Sequence, residues 1–120
     1  MAENRRQKRV AELIKQEVSD LVQHELKDPR IGFVTVTDAE ISADLRHAKV
    51  FVSILDGDKE ETMAGLKAAE GFVRSEIGDR IRLRHTPEIL FRYDDSIEKG
   101  VRIFELLEEV DKGDQQDEEE

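Results

Sequence analysis

The chain has 120 residues, a formal net charge of −10 and no cysteine. That length supports one domain around a single core, and the missing thiols exclude disulfides, thiolate metal sites and thiol nucleophiles. The segment from Met1 to Arg9 is charged, and no apolar run is long enough to cross a bilayer, so a soluble cytoplasmic protein is expected.

Val10, Leu13, Ile14, Val18 and Leu21 recur at the spacing of one buried helical stripe, which predicts a helix from Asn4 to Lys27. Asp28-Pro29 stops it, and Gly32 frees the turn into a strand from Phe33 to Ile41 that is rich in β-branched residues. A second strand is predicted from Arg46 to Leu55, with Ala48, Val50, Val52 and Ile54 on one face, joined to the first as a hairpin through Ser42-Ala43-Asp44. On that pairing Phe33, Lys49, Phe51 and Arg92 point outward, and a last helix is expected to cover the aromatics.

Asp56-Gly57-Asp58 turns the chain into two amphipathic helices between Lys59 and Arg84, interrupted at Ala69-Glu70-Gly71. Met63, Leu66, Val73, Ile77 and Ile81 keep nearly one stripe through the break, so both helices bury against one surface. Ala69 and Gly71 read as small residues for close helix packing, and Glu70 as solvated. Pro87 opens a third strand, Glu88 to Tyr93. Asp95 or Ser96 caps a final helix carrying Ile97, Val101, Phe104 and Leu107. Residues 1–110 form the expected domain and residues 111–120 a disordered acidic tail.

The order helix, strand, strand, helix, helix, strand predicts an α+β domain with the helices on one face of a three-stranded sheet. It is the order of the type II KH fold, with the Ala-x-Gly break standing where an RNA-clamping Gly-x-x-Gly loop would lie, plus a C-terminal helix.

Four stretches together resemble one family, bacterial ribosome-binding factor A. They are Leu26-Lys27-Asp28-Pro29-Arg30-Ile31-Gly32 with Val34-Thr35-Val36-Thr37; Asp44-Leu45-Arg46-His47-Ala48-Lys49-Val50-Phe51-Val52-Ser53; Ala69-Glu70-Gly71 with Val73-Arg74; and Arg82 through Asp94. The resemblance covers residues 3–108 and implies a KH-like factor that binds the small (30S) ribosomal subunit and its 16S ribosomal RNA during maturation. It further implies support for rRNA processing, a link to growth in the cold, monomeric behaviour and assembly GTPases as further partners, with no cofactor and no membrane. The strongly acidic tail departs from the more basic members.

A net charge of −10 argues against nucleic acid until its distribution is read. The last ten residues hold six acids and one lysine, a net of −5, which leaves −5 for residues 1–110. Within those, Arg5, Arg6, Lys8 and Arg9 precede the first apolar position of helix one. Their charge opposes the dipole of that helix end, so stability does not explain them. Arg30 sits in the turn after Pro29, Arg46 and Lys49 flank the hairpin, and Arg80, Arg82 and Arg84, followed by His85, alternate around the end of the third helix. RNA contact and solvated helix ends both fit these positions. An interaction module docking on protein alone is the competing reading.

Catalysis is not expected. The pairs Asp56/Asp58 and Asp94/Asp95 sit at turns and caps that explain them, and no nucleophile, phosphate-loop or histidine-cluster spacing is present. His47 has no partner at metal-ligand spacing, so no metal is expected.

Overall fold

In the computed structural model, which describes residues 5–96 together with 106 and 107, the elements run α1 (Arg5–His24), β1 (Phe33–Ile41), β2 (His47–Asp56), α2 (Lys59–Ala68), α3 (Glu70–Arg80) and β3 (Glu88–Tyr93). The expected order holds, and the architecture is α+β and KH-like. Strand order is β1-β2-β3, with β1 and β2 antiparallel and β2 and β3 parallel. A parallel pair needs a crossover, which α2 and α3 supply.

Helix α1 buries Val10, Ala11, Ile14, Val18, Leu21 and Val22, whereas Leu13 is 40% exposed and drops out of the expected stripe. The helix also ends three residues before Lys27. The amides of Glu25 and Leu26 both donate to the Leu21 carbonyl, at 2.8 and 3.1 Å, and close the last turn. On the sheet, Val34, Val36, Ala39 and Ile41 of β1 face the same core as Ala48, Val50 and Val52 of β2 and Ile89 and Phe91 of β3. The register slips between Phe33 and Val34 and again between Val36 and Asp38. Phe33 and Phe51 point outward as expected, Phe33 exposed and Phe51 half-buried, and the last helix expected to cover them lies outside the described residues.

The Asp58 carboxylate caps α2 by accepting the Glu61 amide at 2.9 Å, and Gly57 turns at φ 104°. The break between α2 and α3 is narrower than the three residues expected: Ala69 alone separates them. Its backbone is helical (φ −88°, ψ −4°), its amide donates to the carbonyls of Gly65 and Leu66, and its own carbonyl accepts from Val73. Hydrogen bonding is therefore almost continuous. That is why Leu66, Val73, Ile77 and Ile81 stay on one buried side.

Two expectations about this break are corrected. Glu70 is not simply solvated: its Oε2 accepts the Phe91 amide of β3 at 2.8 Å. Strand β3 is a sheet edge, and a carboxylate on its amide removes one of the free donors through which edges pair with other chains. Gly71 does not serve close packing, because a Cβ placed there would meet nothing within 4 Å. Since a helical glycine costs backbone entropy, Gly71→Ala is expected to stabilise the fold by about 0.5–1 kcal/mol in urea unfolding. A measurable loss of stability would contradict this packing account.

The Asp94 carboxylate accepts the Thr37 hydroxyl at 2.6 Å and the Ser96 amide at 2.9 Å, so it ties β1 to the segment after β3. The predicted last helix and the acidic tail lie outside the described residues, except for Leu106 and Leu107, which are helical and exposed.

Candidate nucleic-acid interface

Three segments that are distant in sequence meet at one end of the domain: the start of α1, the β1–β2 turn and the connection from α3 to β3. The Gln7 side chain donates to the Ile41 carbonyl at 3.3 Å, fixing the start of α1 to the end of β1. The Glu88 amide donates to the Arg46 carbonyl at 2.8 Å, joining the starts of β2 and β3.

The β1–β2 turn is organised by Ser42 and Asp44. The Ser42 hydroxyl donates to Asp44 at 2.6 Å, and the Asp44 carboxylate accepts the Arg46 amide at 3.0 Å. Those bonds, the Ser42 hydroxyl first and the Arg46 amide second, lower the Asp44 pKa and keep it ionised. Leu45 adopts φ 62°, an uncommon conformation for a branched side chain. The Asp44 carboxylate is thus engaged in shaping the turn, and the Arg46 side chain is left exposed.

Two clefts open at this end. One, of about 290 Å³, is lined by Arg46, His47, Arg74, His85, Thr86 and Glu88. The other, of about 270 Å³, includes Arg6, Asp44, Leu45, Leu83, Arg84 and His85. His85 belongs to both, so the clefts adjoin. Arg6, Arg46, Arg74 and Arg84 therefore converge from four separate segments. Arg74 also donates to the Thr86 carbonyl at 3.2 Å, which fixes its guanidinium, and Glu88 lies 3.7 Å from His47.

The predicted basic residues divide into two sets. Arg5, Arg6, Lys8 and Arg9 are exposed at the start of α1, whose first turn holds no acidic residue. Arg46, Lys49, Arg82 and Arg84 are exposed too, with Leu83 half-buried between the last two and packed on the core. Lys49 lines a shallow recess with Glu40, Ile41, Ser42 and His47, beside the basic end. Among the described residues none of these cations forms an ion pair.

Arg30 and Arg80 are bound within the protein. Arg30 makes a two-pronged contact with Asp28, Nη2 to Oδ2 at 2.6 Å and Nε to Oδ1 at 3.1 Å. The guanidinium first and the Arg30 amide second hold the Asp28 pKa down to about 2. The stabilisation from this pair is therefore present above the ordinary carboxylate range and is lost as pH falls toward 2. Arg80 Nη1 bridges Glu17 at 3.0 Å and Asp20 at 2.8 Å, linking the end of α3 to α1. Asp20 is correspondingly lowered, by Arg80 first and His24 second.

Arg74 is the interface residue that does not stand out in the sequence. An arginine on the polar side of an amphipathic helix is indistinguishable from a solvated one until the fold sets it beside Arg46. Among the described residues no three His, Asp or Glu side chains are placed to hold a metal ion, and no helix is long and apolar enough to cross a membrane.

This geometry is shared with known proteins. The family model described as ribosome-binding factor A matches residues 6–107. Ribosome-binding factor A of Halothermothrix orenii is 56% identical over 117 residues, 96% of each chain, and that of Desulfitobacterium hafniense is 56% identical over 116 residues, covering 94% of this chain and 92% of its own. The solution structure of a Thermotoga maritima protein described as a putative ribosome binding factor A is 36% identical and superposes with a TM-score of 0.67, over 82% of this chain and 95% of that one. A Thermus thermophilus ribosome binding factor A model, fitted into an electron cryomicroscopy map of a 30S complex, is 25% identical with a TM-score of 0.62, over 71% of this chain and 91% of its own. A match from residue 6 to residue 107, in sequence and in fold, places this protein in the ribosome-binding factor A family.

Proposed function

We propose that this protein binds the small ribosomal subunit during its maturation, holds 16S ribosomal RNA against its basic end and supports processing of that RNA without catalysing a reaction. The observation that carries the RNA contact is the convergence of Arg6, Arg46, Arg74 and Arg84 on two adjoining clefts. Four guanidiniums on fixed backbone match the phosphates of a structured RNA. Arg5, Lys8, Arg9, Lys49 and Arg82 extend the same surface. Arg30 and Arg80, already bound to carboxylates, act as structural clamps and contribute little to RNA. The family relationship supplies the target, since the Thermus relative was fitted into a 30S complex. A role on ribosomes places the protein in the cytoplasm.

The carboxylates most suited to chemistry are engaged in structure. Asp58 caps α2, and Asp94 accepts Thr37 and Ser96. Action by binding is sufficient, because a factor that prefers one RNA conformation shifts the population toward it by its difference in affinity. A tenfold preference corresponds to about 1.4 kcal/mol. Equilibrium titration of the labelled protein is expected to show at least about tenfold tighter binding to immature than to mature small subunits, enough to shift an assembly equilibrium. Equal affinities would overturn a maturation role.

A further inference from the structure

The end of the domain opposite the basic clefts has the reverse character. A cleft of about 430 Å³ lies between the end of α1 and the start of β1, with Val22, Leu26, Ile31 and Phe33 among its walls. Phe33 is 65% exposed, and Leu55, which sits unpaired in the register slip opposite Phe33 and Val34, is 59% exposed. Large apolar side chains so open to water, grouped at one place, mark a surface that another molecule covers. Neither is held there by the fold, since the register slip alone would tolerate polar residues.

The surrounding charge identifies the kind of molecule. Asp56 and Gly57 cross closely over Gly32, Asp58 follows in the chain, Glu61 lies near enough to Arg30 to act on it electrostatically, and Glu25 sits between two cleft residues. Of the nearby cations, Arg30 is bound to Asp28, which leaves Lys27 and Lys59 against the four carboxylates of Glu25, Asp56, Asp58 and Glu61. A polyanion is repelled here. So is the chain's own tail, whose last ten residues carry a net charge of −5. A cationic polypeptide is attracted and finds an apolar seat for its side chains.

We infer that the Phe33–Leu55 surface docks a basic protein segment of the immature small subunit, which inserts an aliphatic side chain into the cleft beside Phe33. The inference rests on the proposed subunit-binding role and adds a second contact of different chemistry. RNA held at one end and protein at the other fix the orientation of the domain, and two joined contacts bind more tightly than either alone.

The test compares two ligands and adds one crosslink. Phe33→Ser, at an exposed position, is expected to leave affinity for protein-free 16S ribosomal RNA unchanged and to weaken binding to purified immature small subunits about 30-fold, the loss of one interface anchor. The photoreactive p-benzoylphenylalanine placed at position 33 is expected to form an adduct with a basic protein of those subunits. Adducts with ribosomal RNA or with a second copy of the chain would overturn the inference, as would unchanged subunit affinity of Phe33→Ser. If Phe33→Ser is silent while charge reversal at Arg46 and Arg84 abolishes subunit binding, the protein contact fails and the RNA reading stands. If arginine reversal leaves binding to both ligands intact, the RNA reading itself fails.

Discussion

Reversing Arg6, Arg46 and Arg84 together to glutamate is expected to weaken binding to immature small subunits by about 100-fold or more at 0.1 M salt. Each phosphate contact contributes roughly 0.7 to 0.9 to the dependence of log affinity on log salt. At that salt, three contacts amount to about 100- to 500-fold, and the new negative charges add repulsion. The salt dependence should become shallower by about 2 to 3. The fold should not suffer, because all three side chains are exposed and none is in an ion pair among the described residues. Arg6→Glu even places an acid in the first turn of α1, where the helix dipole favours it by about 0.3–1 kcal/mol. Loss of affinity in a protein of unchanged or greater stability is the signature that separates contact from folding. Reversal with no effect on affinity would favour docking on protein alone.

Gly32→Ala is expected to have the opposite profile, a large loss of stability at a position remote from the basic clefts. A Cβ on Gly32 would lie 2.2 Å from the Asp56 carbonyl oxygen and 3.2 Å from the Gly57 Cα. Both obstacles are backbone, and Gly57 is itself fixed at φ 104°, so no rotamer change relieves the overlap. The same crossing presents the Gly32 amide to the Thr62 hydroxyl at 3.4 Å, and that hydroxyl donates to the Arg30 carbonyl at 3.3 Å. Thr62 is fully buried, so pushing the strands apart also strands a polar group. A cost of about 3 kcal/mol is expected, toward the upper end of overpacking penalties. For a domain of this size that lowers the midpoint of thermal unfolding by roughly 12–24 °C. A fall of less than about 3 °C would contradict the crossing geometry, since that corresponds to well under 1 kcal/mol. Set against the stabilisation expected of Gly71→Ala, the pair shows two glycines of one chain retained for different physical reasons.

Patterns repeated within a few residues could be read without coordinates. The β-branched run of β1, the alternation in β3 and the continuity of Leu66, Val73, Ile77 and Ile81 through the helix break place the core correctly, because each depends on local periodicity. The misread features depend on contacts between distant segments. Glu70 reads as solvated because its partner, the Phe91 amide, lies 21 residues away. Arg80 reads as a free cation because Glu17 and Asp20 lie 63 and 60 residues away. Gly71 and Gly32 are the same letter in turn-like contexts, and only the position of neighbouring backbone distinguishes open space from a close crossing. The basic end itself was half visible. Arg46, Arg84 and the adjacent His85 stand out in sequence, but Arg74 joins them only when the crossover brings the start of β3 beside the start of β2.

Crosslinking the protein to purified immature small subunits with short-wavelength ultraviolet light, followed by mass spectrometry of the RNA-linked peptides, tests the central claim most directly. RNA adducts are expected within residues 5–9, 43–49, 74 and 82–86, the segments that form the basic end. Adducts concentrated instead in residues 22–34 and 55–61, with the basic end unmarked, would contradict it.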